Sequence, residues 1–172
     1  MTILAITMQD VQLAVLFVFF ICIAWLLAEF KGMKDELKER LGINNNTVQL
    51  RLQAYERLTL FAERISLKHL VTHTTFADAT VVDYQLALLE TIRAEYEYNV
   101  SQQIYVSHDM WKAIGNLKDQ NTYIINQVAA ILPSSAPAVE LSRRLLEYAA
   151  NPNAELSPVV LEALQFEAKK LL

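Results

Sequence analysis

A chain of 172 residues, 53% hydrophobic and 20% charged with a formal charge of −4, can bury one domain core and carry one accessory segment besides. Three glycines and four prolines disfavour a turn-rich all-β fold, and a single cysteine, Cys22, excludes an intramolecular disulfide. The hydrophobic excess is concentrated at the amino end, as in a membrane segment joined to an ordinary helical domain.

From Val11 to Ala28, Gln12 is the only polar side chain in eighteen residues. As a helix this run covers roughly 27 Å of a hydrocarbon layer about 30 Å thick. A cleavable export signal carries Lys or Arg ahead of its apolar region and a small-x-small site after it, whereas here the first basic residue is Lys31. A buried core helix shows one apolar face, whereas Leu, Val, Phe and Ile here occupy every face. The run is therefore expected to be a retained transmembrane helix, with Trp25 and Phe30 at the depth of an aromatic belt. Lys31, Lys34, Lys38 and Arg40 crowd one flank and none precedes the span, so the carboxyl side is expected in the cytoplasm.

Across the end of the span, Phe19, Ile23, Leu26, Phe30, Met33 and Leu37 recur at alternating steps of four and three, the spacing of a helix-pairing seam. Phe30, Met33 and Leu37 are its candidate residues outside the membrane, and Gly32 a candidate hinge. Gly42 and Asn44–Asn46 predict a stop. Thr47 then caps a helix to about Ile65, with Leu50, Ala54, Tyr55, Leu58, Phe61, Ala62 and Ile65 as its apolar stripe and Arg57 and Arg64 on the wet side. Residues 66–79 lack a clean period and are expected to form a short helical turn and a loop. Thr80 and Asp83 open a helix to about Tyr105, with Leu86, Leu89, Tyr96 and Val100 inward.

Ser107 is a good N-cap, with Asp109 in the first turn and Val106 placed to staple onto Trp111. That helix carries Ile114, Leu117, Ile124, Val128 and Ile131 to Pro133. A shorter helix, 139–150, turns Leu141, Leu145 and Tyr148 inward. Ser157 and Pro158 then start the last one, with Leu164, Ala168 and Leu171 on its core side. The expectation is an all-α fold: tail 1–10 outside, transmembrane helix 11–30, juxtamembrane helix and linker 31–46, and a cytoplasmic antiparallel bundle of about five helices over 47–172.

The stretches RLQAYERLTLFAERI and EYEYNVSQQIYVSHDMW resemble a family of single-pass helical membrane proteins of the Bacteroidota to which no activity is assigned. The resemblance runs from about residue 50 to the carboxyl end. Val100 stands where that family carries Leu, and Tyr98 where it carries His. It implies a bacterial inner-membrane setting and a helical fold, and it carries over no catalytic residue.

Asn99, Ser101, Gln102 and Gln103, flanked by Tyr98 and Tyr105, form a cluster of uncharged polar residues within a helical pattern. They suit an interhelix hydrogen-bond network or a protein-docking face, because amides both donate and accept; the alternative is a solvated face with Val100 and Ile104 packed inward. His69 and His73, four apart, share a helix face, and Asp78 adds a carboxylate, but HExxH is missing and no metal is assigned. Glycine-rich phosphate loops and GxSxG elbows are missing too, and Glu95 and Glu97 lie on different helix faces. Residues 31–172 hold fifteen Lys/Arg against seventeen Asp/Glu, a poor match for nucleic acid.

No catalytic residue and no cofactor follow from this reading. The expected function is a membrane-anchored, non-catalytic scaffold or accessory subunit whose partners are the lipid bilayer and other membrane proteins or a second copy. The alternative is a membrane-attached enzyme or ligand sensor using the bundle interior or the His69–Asp78 loop.

Overall fold

The computed structural model describes residues 8–75, 78–151 and 154–172, excepting the side chains of residues 8–15, 39–41, 43 and 44. Most of the tail 1–10 thus lies outside the described residues. The fold is all-α. Its helices are α1 (Met8–Arg64), α2 (Leu67–His73), α3 (Val81–Asn99), a 3₁₀ segment (Val100–Ile104), α4 (His108–Ala130), α5 (Ala138–Ala149) and α6 (Ser157–Lys169). Among the described residues, the one β-like contact is an isolated antiparallel bridge between Thr80 and Pro137. The chain divides into two compact units, Met1–Thr47 and Val48–Leu172.

In the first unit, Leu16–Lys38 is long and apolar enough to cross a membrane, and none of it is buried. At 1.5 Å per residue its 23 residues extend roughly 34 Å. The expected stop at Gly42–Asn46 does not occur, nor does a break at Gly32: α1 is unbroken and Thr47 lies inside it. Glycine ends a helix by taking a positive φ, and no described glycine has one. Without that reversal, Gly and Asn in a helix interior cost only about 1 kcal/mol or less each.

In the second unit, Ala54, Tyr55, Leu58, Phe61, Ala62 and Ile65 are buried, as their three- and four-residue spacing predicts, while Leu50 is exposed. Each large apolar side chain buried in this way contributes about 1.5–3 kcal/mol. The face of α3 differs from expectation. Val81, Tyr84, Leu88 and Ile92 are buried, Leu89 and Tyr96 only partly, and Leu86 is 60% exposed. Two apolar stripes run along this helix, and periodicity cannot choose between them. The choice falls on the stripe with Tyr84, whose hydroxyl donates to the Val71 carbonyl (3.3 Å).

Helix α4 buries Met110, Ile114, Leu117, Ile124 and Ile125, with Trp111 and Val128 partly covered. Ile131 is exposed because it is already the C-cap. Helix α5 buries Leu141 and Leu145, whereas Tyr148 turns outward and donates its hydroxyl to the Ala154 carbonyl. Helix α6 buries Val160 and Leu164. Its cap is Leu156 rather than Ser157, which sits buried inside the first turn ahead of Pro158.

Two helix starts read from sequence form as expected. Thr80 and Asp83 make a reciprocal capping box, and its hydrogen bonds from the Thr80 hydroxyl and backbone hold the Asp83 carboxyl below its ordinary range. The Ser107 hydroxyl accepts from the Met110 amide (3.1 Å).

Other helix ends are closed from a distance. Asn121 donates to the Ile65 carbonyl (2.6 Å), the Glu155 carboxylate accepts from the Leu67 amide (3.1 Å), and the Gln120 side chain accepts from the Leu156 amide (3.0 Å). Each satisfies a backbone group that a helix terminus leaves without an intrahelical partner.

Candidate functional site

The polar cluster lies where α3 gives way to the 3₁₀ segment. Asn99 donates its side-chain amide to the Glu95 carbonyl (2.9 Å), a local bond that competes with the α-helical ladder. The chain then tightens into 3₁₀ form over Val100–Ile104. With three residues per turn, positions three apart share a face. Asn99 and Gln102 are accordingly 4% and 6% exposed, and Tyr105 is half-buried.

Val100 and Ile104 are 43% and 72% exposed, with Ser101, Gln103 and Tyr98 also on the surface. Eighteen residues, or five α-helical turns, before Val100 and Ile104 lie the exposed Val82 and Leu86, so both continue the outward stripe of α3 and the solvated-face alternative is overturned: Asn99 and Gln102 turn in, the two aliphatics out. The inward amides are only partly satisfied. Gln102 donates to the Ser101 hydroxyl (3.0 Å), while the Asn99 Oδ1 is buried without a hydrogen-bond partner.

Three arginines of α1 border this segment. Arg51 donates through Nε to the Tyr105 carbonyl (3.2 Å), and Arg57 through Nη2 to the Tyr98 carbonyl (3.4 Å) while its guanidinium lies 4.8 Å from the Tyr98 ring centroid. Arg64 pairs with Glu95 at 3.1 Å. The Tyr98 and Tyr105 carbonyls lie at the ends of α3 and of the 3₁₀ segment, where carbonyls lack intrahelical donors and the helix dipole is negative. A groove of about 360 Å³ lies between Arg57, Phe61, Arg64, Glu95, Tyr98 and Asn99. A second of about 400 Å³ continues past the Arg64–Glu95 pair toward His69, His73 and Thr91.

His69 and His73 do share a face, with rings stacked 3.9 Å apart and 13° from parallel. Their Nδ1 atoms donate to the carbonyls of Arg64 (3.1 Å) and His69 (3.0 Å). Asp78 is exposed on the following loop in the left-handed region, φ 57°. Among the described residues, no three His, Cys, Asp or Glu side chains converge as metal ligands. Phe30, Met33 and Leu37 are exposed on α1, in the other unit.

Sequence reasoning placed Arg57 and Arg64 on a wet face and missed their role as a frame around the cluster. Their spacing from Arg51, six and then seven residues, was the available signal. Glu167 was missed as well: its carboxylate accepts from the Tyr55 hydroxyl (2.7 Å) and the Ser107 hydroxyl (2.8 Å). Nothing in one sequence announces a contact between residues so far apart.

These features define an all-α protein with, among the described residues, one helix apolar enough to span a membrane, and a compact helical unit bearing an arginine-framed apolar and polar face. The chain belongs to a family of unknown function, DUF7935, which matches residues 1–171. No curated protein and no solved structure matches it.

Proposed function

We propose that this protein is a membrane-anchored, non-catalytic scaffold or accessory subunit, with residues 11–30 in the bacterial inner membrane, the amino terminus outside and the helical unit in the cytoplasm. The resemblance to a Bacteroidota membrane family and the crowd of basic residues after Ala28 support that setting. The observation that carries the interaction role is the outward turn of Val100 and Ile104 beside Tyr98. Aliphatic and aromatic side chains ringed by Arg57 and Arg51 have the make-up of a protein contact, in which Tyr and Arg commonly dominate the binding energy. Confinement to the bilayer raises the effective concentration of such a face toward membrane partners, so a modest contact suffices.

The test is photo-crosslinking from position 104 of the full chain in native membranes, followed by detergent purification and mass spectrometry. The expected result is one reproducible membrane-protein adduct that Ile104→Asp removes without lowering the melting temperature. A chain without an adduct, purifying with a bound metabolite instead, would move the reading to a ligand sensor. A reporter fused after Leu172 that is active only in the exported compartment would reverse the topology.

A further inference from the structure

On the first unit the apolar seam has a partner that its own charges specify. Leu26, Phe30, Met33 and Leu37 are all exposed on an unbroken helix, and Ile23 is only partly covered. Their alternating steps of three and four make them successive a and d positions of a heptad: Ile23 a, Leu26 d, Phe30 a, Met33 d, Leu37 a. In that register Glu29 is a g position and Lys34 the following e position. Residues g and e of the next heptad meet across a parallel, in-register pair of helices and set its orientation.

Most of the neighbouring charges are matched within the helix, Glu39 beyond the end of the apolar seam excepted. Lys31 and Asp35 are four apart, and Asp35 and Lys38 three, spacings at which opposite charges attract along one helix face. Glu29 has no basic residue three or four positions away on either side. Lys34 has no acidic one. Five residues apart, Glu29 and Lys34 point to different sides of one helix, so their natural encounter is between helices. Continued by the same steps, the seam reaches Arg40, Asn44 and Thr47, which are polar, so the apolar contact ends at Leu37.

We infer that two copies of this chain pair through α1 as a parallel dimer over Ile23–Leu37, with Glu29 of each copy facing Lys34 of the other. The orientation rests on the membrane-anchored reading: copies inserted with the same topology in one bilayer can meet only in parallel, the arrangement that brings these two charges together. Phe30, Met33 and Leu37 lie where lipid thins out and charged residues begin, so pairing removes them from water as well as from headgroups.

The test uses the full chain carrying Cys22→Ser, in native membranes, with Met33→Cys or Asp35→Cys added and mild oxidation by copper phenanthroline. The expected result is a disulfide-linked dimer at the d position, Met33→Cys, and its loss at the outward position, Asp35→Cys. Glu29→Lys should reduce the Met33→Cys dimer, and Lys34→Glu combined with it should restore it. Equal linking at both positions overturns the register. No linking at Met33→Cys overturns the dimer and leaves the headgroup layer as the cover of the stripe. Equal yield from the Met33→Cys chain with its native charges, with Glu29→Lys and with both charge changes overturns the Glu29–Lys34 pairing. A carbonate wash of the same membranes separates failure of the seam from failure of the anchor: a monomer that stays with the pellet loses only the former, and a chain released to the supernatant loses the latter.

Discussion

Residues 16–38 and residues 48–172 use the same apolar side chains in opposite ways. Phe17, Phe20, Trp25 and Leu27 are exposed on one helix, whereas Phe61, Tyr84, Ile114 and Leu141 are buried among several. In the second region charge and apolarity alternate at helical spacing, so each helix has a side to bury; in the first, apolar residues surround the axis and no single packing partner can cover them. The same hydrophobic effect therefore closes one region on itself and leaves the other an uncovered helix long and apolar enough to cross a membrane.

The sharpest way to break this comparison is to truncate one aromatic on each side. Phe61→Ala should destabilise the helical unit by about 3–5 kcal/mol, the usual result of emptying a packed aromatic site. Phe20→Ala should leave urea unfolding of that unit, followed in detergent, unchanged. An equal loss in both would mean that the amino-terminal helix packs into the fold after all.

A smaller effect isolates the polar part of the second region. Asn121 is fully buried and donates to the Ile65 carbonyl. Asn121→Leu should lower stability by about 1–3 kcal/mol, because it leaves that carbonyl buried without a donor. Since the Asn121 Oδ1 itself lacks a partner, the added apolar volume recovers part of the loss, and the lower half of the range is expected.

How far the sequence reaches follows from where each signal lies. Caps are local, and both Thr80–Asp83 and Ser107 are read correctly from four or five residues. The stripe Ala54–Ile65 is equally clear, because only one of its faces is apolar. Helix α3 has two apolar stripes, and only its neighbours decide between them; Leu86 consequently falls on the outside. Val100 and Ile104 are misplaced for the same reason, because they lie eighteen residues, or five α-helical turns, beyond Val82 and Leu86 and so continue the stripe that the fold leaves outside. The continuity of α1 through Gly42 was hidden for the converse reason: Gly and Asn permit a turn but do not require one.

The capping box gives a third and milder test. Thr80→Ala removes both the side-chain acceptor for the Asp83 amide and the hydroxyl that donates to its carboxylate. A loss of about 1 kcal/mol in urea unfolding is expected, typical of a helix N-cap. No change in the membrane association of the chain should accompany it, since the cap belongs wholly to the second region.

The smallest effect is read from pH. Burial pushes the Glu155 carboxyl above its ordinary range, against the opposing pull of the Leu67 amide that it accepts from. The folded chain therefore holds this proton more tightly than the unfolded chain, and stability falls as pH rises from the ordinary carboxylate value through the raised one. Asp83 acts in the opposite sense in a lower window: its carboxyl titrates below the ordinary range in the fold, so the stability it confers is present above that range and lost as pH drops through the folded value. Glu155→Gln keeps an oxygen for the Leu67 amide and removes the ionisation. The urea midpoint of that variant should lose its decline on the alkaline side of the carboxylate range while keeping the acid decline, which Asp83→Asn should remove instead. If Glu155→Gln leaves the alkaline-side decline intact, the carboxylate is better solvated than its place beside Leu67 implies, and α2 is held to the rest of the unit more loosely than α3.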